Sequence, residues 1–186
     1  GKQIPNFITK EPVAPSAISL SRGLEKGFNK PRALTEAEIL VIIKKFATSA
    51  KLAKESGFTG VQIHGAHGYL VSQFLSPRHN QREDKWGGSL ENRMRFVLSV
   101  YSAIREQVGS DFPIGIKLNS ADFMKGGFTE DDSMQVVKTL AEAGIDLIEI
   151  SGGTYESPSM MGADVKESTV KREAYFLDYA EKVRAL

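Results

Sequence analysis

The sequence has no cysteine, so it carries neither a disulfide framework nor a thiolate zinc site. That is compatible with a reducing compartment, and a cytoplasmic location is the expectation. No apolar run approaches the ~20 residues that a membrane-spanning helix needs. Charge of one sign is equally scarce: 24 Lys and Arg stand against 23 Asp and Glu, interspersed, for a net charge of +1. Such a balance leaves no electrostatic footprint for nucleic acid or an anionic membrane. The opening GKQIPNFITKEP has no signal-peptide core and no initiator Met, which suggests a chain that begins in the middle of something longer. No G-x-G-x-x-G follows an apolar segment, and this disfavours an open dinucleotide-binding sheet. What remains is an ordinary globular composition, 41% hydrophobic and 25% charged over 186 residues, large enough for a real core.

Prolines 5, 12, 15 and 31, with Gly23 and Gly27, punctuate residues 1–34. That density blocks long helices and sheet interiors, so the segment reads as an irregular loop region with at most a short surface hairpin. Residues 1–186 are otherwise expected to form a single domain. A helix opens at Thr35, with Glu38 as its capping-box partner, and Ile39, Ile42, Ile43, Phe46, Ala50 and Ala53 recur at helical spacing until Gly57. A second opens at Ser89 and carries Leu90, Met94, Val97, Val100, Tyr101, Ile104 and Val108 on one stripe. Thr129 caps a third, with Glu130, Asp131 and Asp132 at its positive end. The last, from about Ser168, carries Tyr175, Phe176, Tyr179 and Val183. Between them lie apolar strands at 60–64, Ile114–Leu118 and Ile145–Ile150.

Strands alternating with helices imply βαβ crossovers and a parallel sheet. Each strand runs into a polar residue, His64, Asn119 or Ser151, the habit of a (β/α)₈ TIM barrel with its chemistry at the carboxyl ends. Only three such strands are present, whereas a closed barrel takes about 200–250 residues. The fold class expected is therefore α/β, a partial barrel.

Two of the three histidines fall in one stretch, His64-Gly65-Ala66-His67-Gly68-Tyr69. On a helix their spacing would suit a metal, but no third ligand of zinc type is near. They could equally be a satisfied structural pair, or paired donors to a carbonyl oxygen or oxyanion, which neutral imidazoles do well. Tyr69 offers either core packing or a proton for an atom gaining negative charge. By alternation Lys117 points away from the side chains of Ile116 and Leu118. It is either an inward cation needing an anionic partner or a lysine that snorkels to water. Asn92 and Arg93 suit a bracing role, through loop carbonyls or Asp84. The turn Ser151-Gly152-Gly153 would let a ligand approach the backbone, or is simply tight.

Taken together, His64-Gly65-Ala66-His67-Gly68-Tyr69-Leu70, Gln73-Phe74-Leu75-Ser76-Pro77, Asn80-Gln81-Arg82, Trp86-Gly87-Gly88-Ser89 and Glu91-Asn92-Arg93 resemble the Old Yellow Enzyme family of FMN-dependent ene-reductases. Gly1-Lys2-Gln3, Ala14-Pro15-Ser16-Ala17 and Lys117-Leu118-Asn119-Ser120 extend the likeness along the chain. The resemblance implies a barrel of which this chain supplies about strands four to six, the first and last strands lying elsewhere. It implies FMN as cofactor, NADH or NADPH as hydride donor and an activated alkene as substrate, with homo-oligomerisation left open. His64 and His67 would hold the substrate oxygen and Tyr69 would protonate the α-carbon. Gln3 would bind the flavin's pyrimidine edge. Lys117 would stand where many members place an arginine near flavin N1 and O2, keeping the charge without the planar fork. The flavin phosphate would belong to the last two barrel strands. The alternative is a non-catalytic half-barrel whose open edges invite association or aggregation; a metal-dependent barrel hydrolase is a third reading.

Overall fold

The computed structural model describes residues 1–157 and 168–185, the side chains of 168–175 excepted. The backbone up to Leu34 is mostly irregular, as its prolines dictate. Where the sequence reading allows at most a short hairpin, the segment makes a parallel contact: β1 (Val13–Ala14) pairs with β2 (Arg32–Ala33), Val13 opposite Arg32. A parallel pair needs a crossover, and residues 15–31 supply it, with a 3₁₀ turn at Leu24–Lys26. Helix α1 (Glu36–Glu55) then starts on a complete capping box. The Thr35 hydroxyl accepts from the Glu38 backbone N–H while the Glu38 carboxylate accepts from that of Thr35. Its buried stripe is Ile39, Ile43, Ala47 and Ala50, and Gly57, at φ 87°, turns the chain out of it.

Strand β3 (Val61–Gly65) follows, then a short helix, α2 (Leu70–Leu75), where the sequence pattern names no element. Helix α3 (Leu90–Val108) is capped by the Ser89 hydroxyl as expected. Strand β4 (Ile114–Asn119), α4 (Glu130–Glu142), β5 (Leu147–Ser151) and α5 (Ser168–Arg184) complete the order. Strand β5 begins two residues later than the sequence pattern predicts, because Ile145 and Asp146 are spent turning the chain. The Ile145 N–H still bonds to the Leu140 carbonyl, and the Asp146 carboxylate accepts from the Ile114 N–H. On α5, Tyr179 is buried and donates to the Ser133 hydroxyl at 2.6 Å. The expected place of Tyr175 on its stripe lies outside the described side chains.

The central sheet is parallel, in the order β3-β4-β5, so the α/β class and the parallel sheet are as the sequence pattern predicts. Alternation gives it two unlike faces. Ile63, Ile116 and Leu118 point to the side covered by α1, α3 and α4, where they join Ile39, Phe96, Val97, Val136 and Leu140 in the core. Phe74 of α2 stacks on Phe96 with ring centroids 4.1 Å apart, so the short helix is pinned to the same core. On the other side stand Gln62, His64, Lys117 and Glu149, with no helix over them among the described residues. That polar side is the one the site uses.

A candidate active site at the carboxyl ends of the strands

His64 is the penultimate residue of β3 and lies on the polar face, in register with Lys117. His67 is not helical with respect to it. After Gly65 the chain turns sharply, and His67 sits in the left-handed region at φ 60°, an uncommon conformation for a side chain this large. Three contacts hold it there. The Asn119 side-chain oxygen accepts from its N–H at 3.1 Å, the Gln3 amide donates to its carbonyl at 2.9 Å, and its Nε2 hydrogen-bonds with the Ser151 hydroxyl at 2.6 Å. The ends of β4 and β5 and the N-terminal segment are thus all spent on orienting this one residue.

Helix α2 finishes the turn. The Gly68 N–H donates to the Ser72 hydroxyl, and the Gln73 amide donates to the Gly68 carbonyl at 2.6 Å. Gly68 itself has φ 75°, and a β-carbon there would come within 3.1 Å of the Gln3 side chain. Only glycine satisfies both the conformation and the space. Tyr69, the N-cap of α2, consequently turns its ring onto His64. Their centroids are 4.8 Å apart and those of His64 and His67 5.3 Å, both edge-to-face. The sequence therefore brings His64, His67 and Tyr69 together as predicted, through a turn rather than a helix.

Burial lowers the basicity of both imidazoles. At His64 the Lys117 ammonium adds to the effect, and at His67 neighbouring His64 and Lys117 do. Both are thus neutral at neutral pH, each with one N–H to donate. A cavity of about 350 Å³ opens beside His64, lined in part by Gln3, Ile4, Phe46, His64, Tyr69 and Leu70. Gln3 is buried, and its side-chain oxygen has no hydrogen-bond partner among the described residues. Lys117 is partly exposed on the polar face, 2.8 Å from the Glu149 carboxylate.

Several participants escape sequence reasoning. Tyr155 hydrogen-bonds to Tyr69, oxygen to oxygen, at 2.7 Å. That bond, with burial, pushes the Tyr155 phenol up to about 12, so Tyr155 stays protonated. Its signal was the Ser151-Gly152-Gly153 turn just before it. Asn119 also donates to the Gly153 carbonyl at 2.9 Å, tying that turn to β4. Behind the site, buried Lys2, His79 and Glu156 hold the loop after β5 against the N-terminal segment. One Glu156 oxygen accepts from the Ser21 N–H, and the other lies 3.7 Å from Lys2 Nζ and 3.4 Å from His79 Nε2. The charged loop 80–88 proves to be scaffold. Arg82 donates to the carbonyls of Pro15 and Leu34 and pairs with Asp84. Arg93 braces the carbonyls of Leu75 and Gly88 as expected, but its acid partner is Asp132 because Arg82 already occupies Asp84.

Comparison with known proteins agrees with this layout. The family model described as NADH:flavin oxidoreductase / NADH oxidase matches residues 5–184. The NADH-dependent flavin oxidoreductase iliE of Hypocrea jecorina is 41% identical over 203 aligned positions, covering 98% of this chain and 50% of its own. The chain thus spans about half the length of that relative. Among solved structures, a 2-naphthoyl-CoA reductase bound to 2-naphthoyl-CoA aligns with TM-score 0.76 and 40% identity over 80% of this chain and 22% of its own. Morphinone reductase in complex with tetrahydroNAD aligns with TM-score 0.70 and 31% identity, over 81% of this chain and 46% of its own. With nearly its whole length inside the family model, the chain belongs to the NADH:flavin oxidoreductase / NADH oxidase family.

Proposed function

We propose that this chain carries the substrate-facing part of an FMN site, in an oxidoreductase that passes hydride from NADH or NADPH to an activated C=C bond. In this reading its three parallel strands are about strands four to six of an eight-stranded barrel, and the protein works in the cytoplasm. The observation that carries the reading is the His64–His67–Tyr69 cluster, two neutral imidazoles and a phenol at one end of a sheet face, beside a cavity. A morphinone reductase bound to a nicotinamide analogue and a reductase bound to an aromatic thioester are similar folds, and both support it. The residues present fit the polar edge of a flavin. The unpartnered Gln3 oxygen is an acceptor for the imide N–H of the flavin's pyrimidine edge, and Lys117 is a cation for the N1 and O2 side of the same ring. The phosphate falls to strands beyond these three.

When bound, FMN supplies the hydride chemistry, taking the pair of electrons from the nicotinamide and releasing it to the alkene. His64 and His67 donate hydrogen bonds to the substrate's carbonyl oxygen, drawing charge from the β-carbon so that it accepts hydride. Negative charge then gathers on the α-carbon and that oxygen, and Tyr69 delivers its phenolic proton to the α-carbon. Tyr155, on the far side of the Tyr69 oxygen, fixes the direction in which that proton points.

Replacing Tyr69 by Phe in the natural protein tests this directly. Alkene reduction should slow by about 10²–10⁴-fold, the usual weight of a positioned general acid, while flavin reduction by the nicotinamide stays nearly intact. Equal loss in both half-reactions would remove Tyr69 from the proton-donor role. A non-catalytic half-barrel is the second reading, favoured by the polar sheet face that no helix covers among the described residues. It predicts a folded protein without flavin affinity.

A further inference from the structure

The polar face of the sheet carries one row of charge. His64, Lys117 and Glu149 lie in register across β3, β4 and β5. Lys117 Nζ is 2.8 Å from one Glu149 oxygen, and the Gln62 amide donates to the other at 2.9 Å. Both carboxylate oxygens are thus engaged on the side of the sheet that faces the site. The neighbours Ile148 and Ile150 face the opposite way, so the acid is not a by-product of a polar strand. Half-exposed ion pairs of this kind contribute little to stability. The consequence of this one lies in the charge it presents.

We propose that Glu149 is a charge-balancing residue of the flavin site. Its ion pair with Lys117, braced by Gln62, offsets the cation offered to the flavin's pyrimidine edge and holds the reduction potential below the value an unpaired lysine would give. The proposal rests on the flavin reading above. Reduction by a nicotinamide hydride brings two electrons and one proton to the flavin, which leaves one negative charge to be stabilised near the pyrimidine edge. A lone ammonium stabilises that charge strongly. An ammonium with a carboxylate 2.8 Å away acts as a dipole, whose field falls off faster with distance. Lys117 therefore anchors the flavin edge without making the reduced cofactor too stable to pass its hydride on.

The test is Glu149→Gln in the natural protein reconstituted with FMN, with Glu149→Asp as the charge-conserving control. The Gln variant should bind reduced FMN about 3–10-fold more tightly relative to oxidised FMN, equivalent to a midpoint about 15–30 mV more positive for a two-electron couple. The Asp variant should stay near the parent. In the flavin-free Gln variant the His64 imidazole should titrate lower by NMR, since the Lys117 charge is then unopposed. A potential that stays put or moves negative in a protein that binds FMN would overturn the charge-balance role and leave the flavin reading standing. An unmoved His64 would overturn it too, by showing that the ion pair does not form in solution. A parent protein that binds no FMN would overturn both readings together.

Discussion

Burial keeps every imidazole of this chain on the neutral side, and at His79 the effect is largest. Enclosed and next to the Lys2 ammonium, His79 titrates at about 4 despite the partly opposing Glu156 carboxylate. An unfolded imidazole titrates near 6.5. Between those values the unfolded chain binds more protons, so the His79 contribution is present above pH ~6.5 and lost as pH falls toward 4. Melting temperatures should therefore hold level from pH 8 to 7 and drop through this window. Carboxylates such as Glu38, held at about 2 by Arg32 and Thr35, make their loss lower down. His79→Gln should reduce the stability lost across this window by an amount on the order of 2 kcal/mol; an unchanged loss would place the sensitivity elsewhere. At this scale the sequence was informative where chemistry is local. His64, His67 and Tyr69 are close in sequence, and a turn was bound to gather them. Glu149 and Tyr155 were illegible because they reach Lys117 and Tyr69 only through strand register and a loop 86 residues away from Tyr69.

Helix starts were the most legible elements, because their signals are side-chain hydrogen bonds within a few residues. The box at Thr35 and the caps at Ser89 and Thr129 all form, and Asp132 completes at Thr129 a box that the sequence reading does not name. Thr35→Ala removes one arm of the first box and leaves the Glu38 carboxylate with Arg32 and the backbone. It should cost about 1 kcal/mol in denaturant unfolding with an unchanged slope; no measurable loss would mean that packing alone sets the start of α1. Helix α2 was missed for a definite reason. Six residues between Gly68 and Pro77 are too few for a periodic signal, yet Val71, Phe74 and Leu75 are all buried and stand at helical spacing. The parallel β1–β2 pair is illegible in the sequence because two-residue strands carry no pattern that tells parallel from antiparallel pairing.

On the scale of the whole molecule, the parallel sheet of three strands has one apolar and one polar face. The outer edges of β3 and β5 pair with no further strand among the described residues, and Leu147 at one of them is 58% exposed. Further polypeptide pairing with those edges would place the polar row His64–Lys117–Glu149 inside a barrel, where its charges act at close range. The relative from Hypocrea jecorina is about twice as long as the part this chain matches, in keeping with that arrangement. Among the described residues no helix is long and apolar enough to cross a membrane. Titration of the purified protein with FMN, followed by flavin fluorescence and absorbance, asks whether this sheet end is a flavin site. Saturable one-to-one binding that weakens in a Lys117→Met variant is the result predicted. A protein that is folded by circular dichroism yet leaves the flavin signal unchanged at every concentration would contradict it.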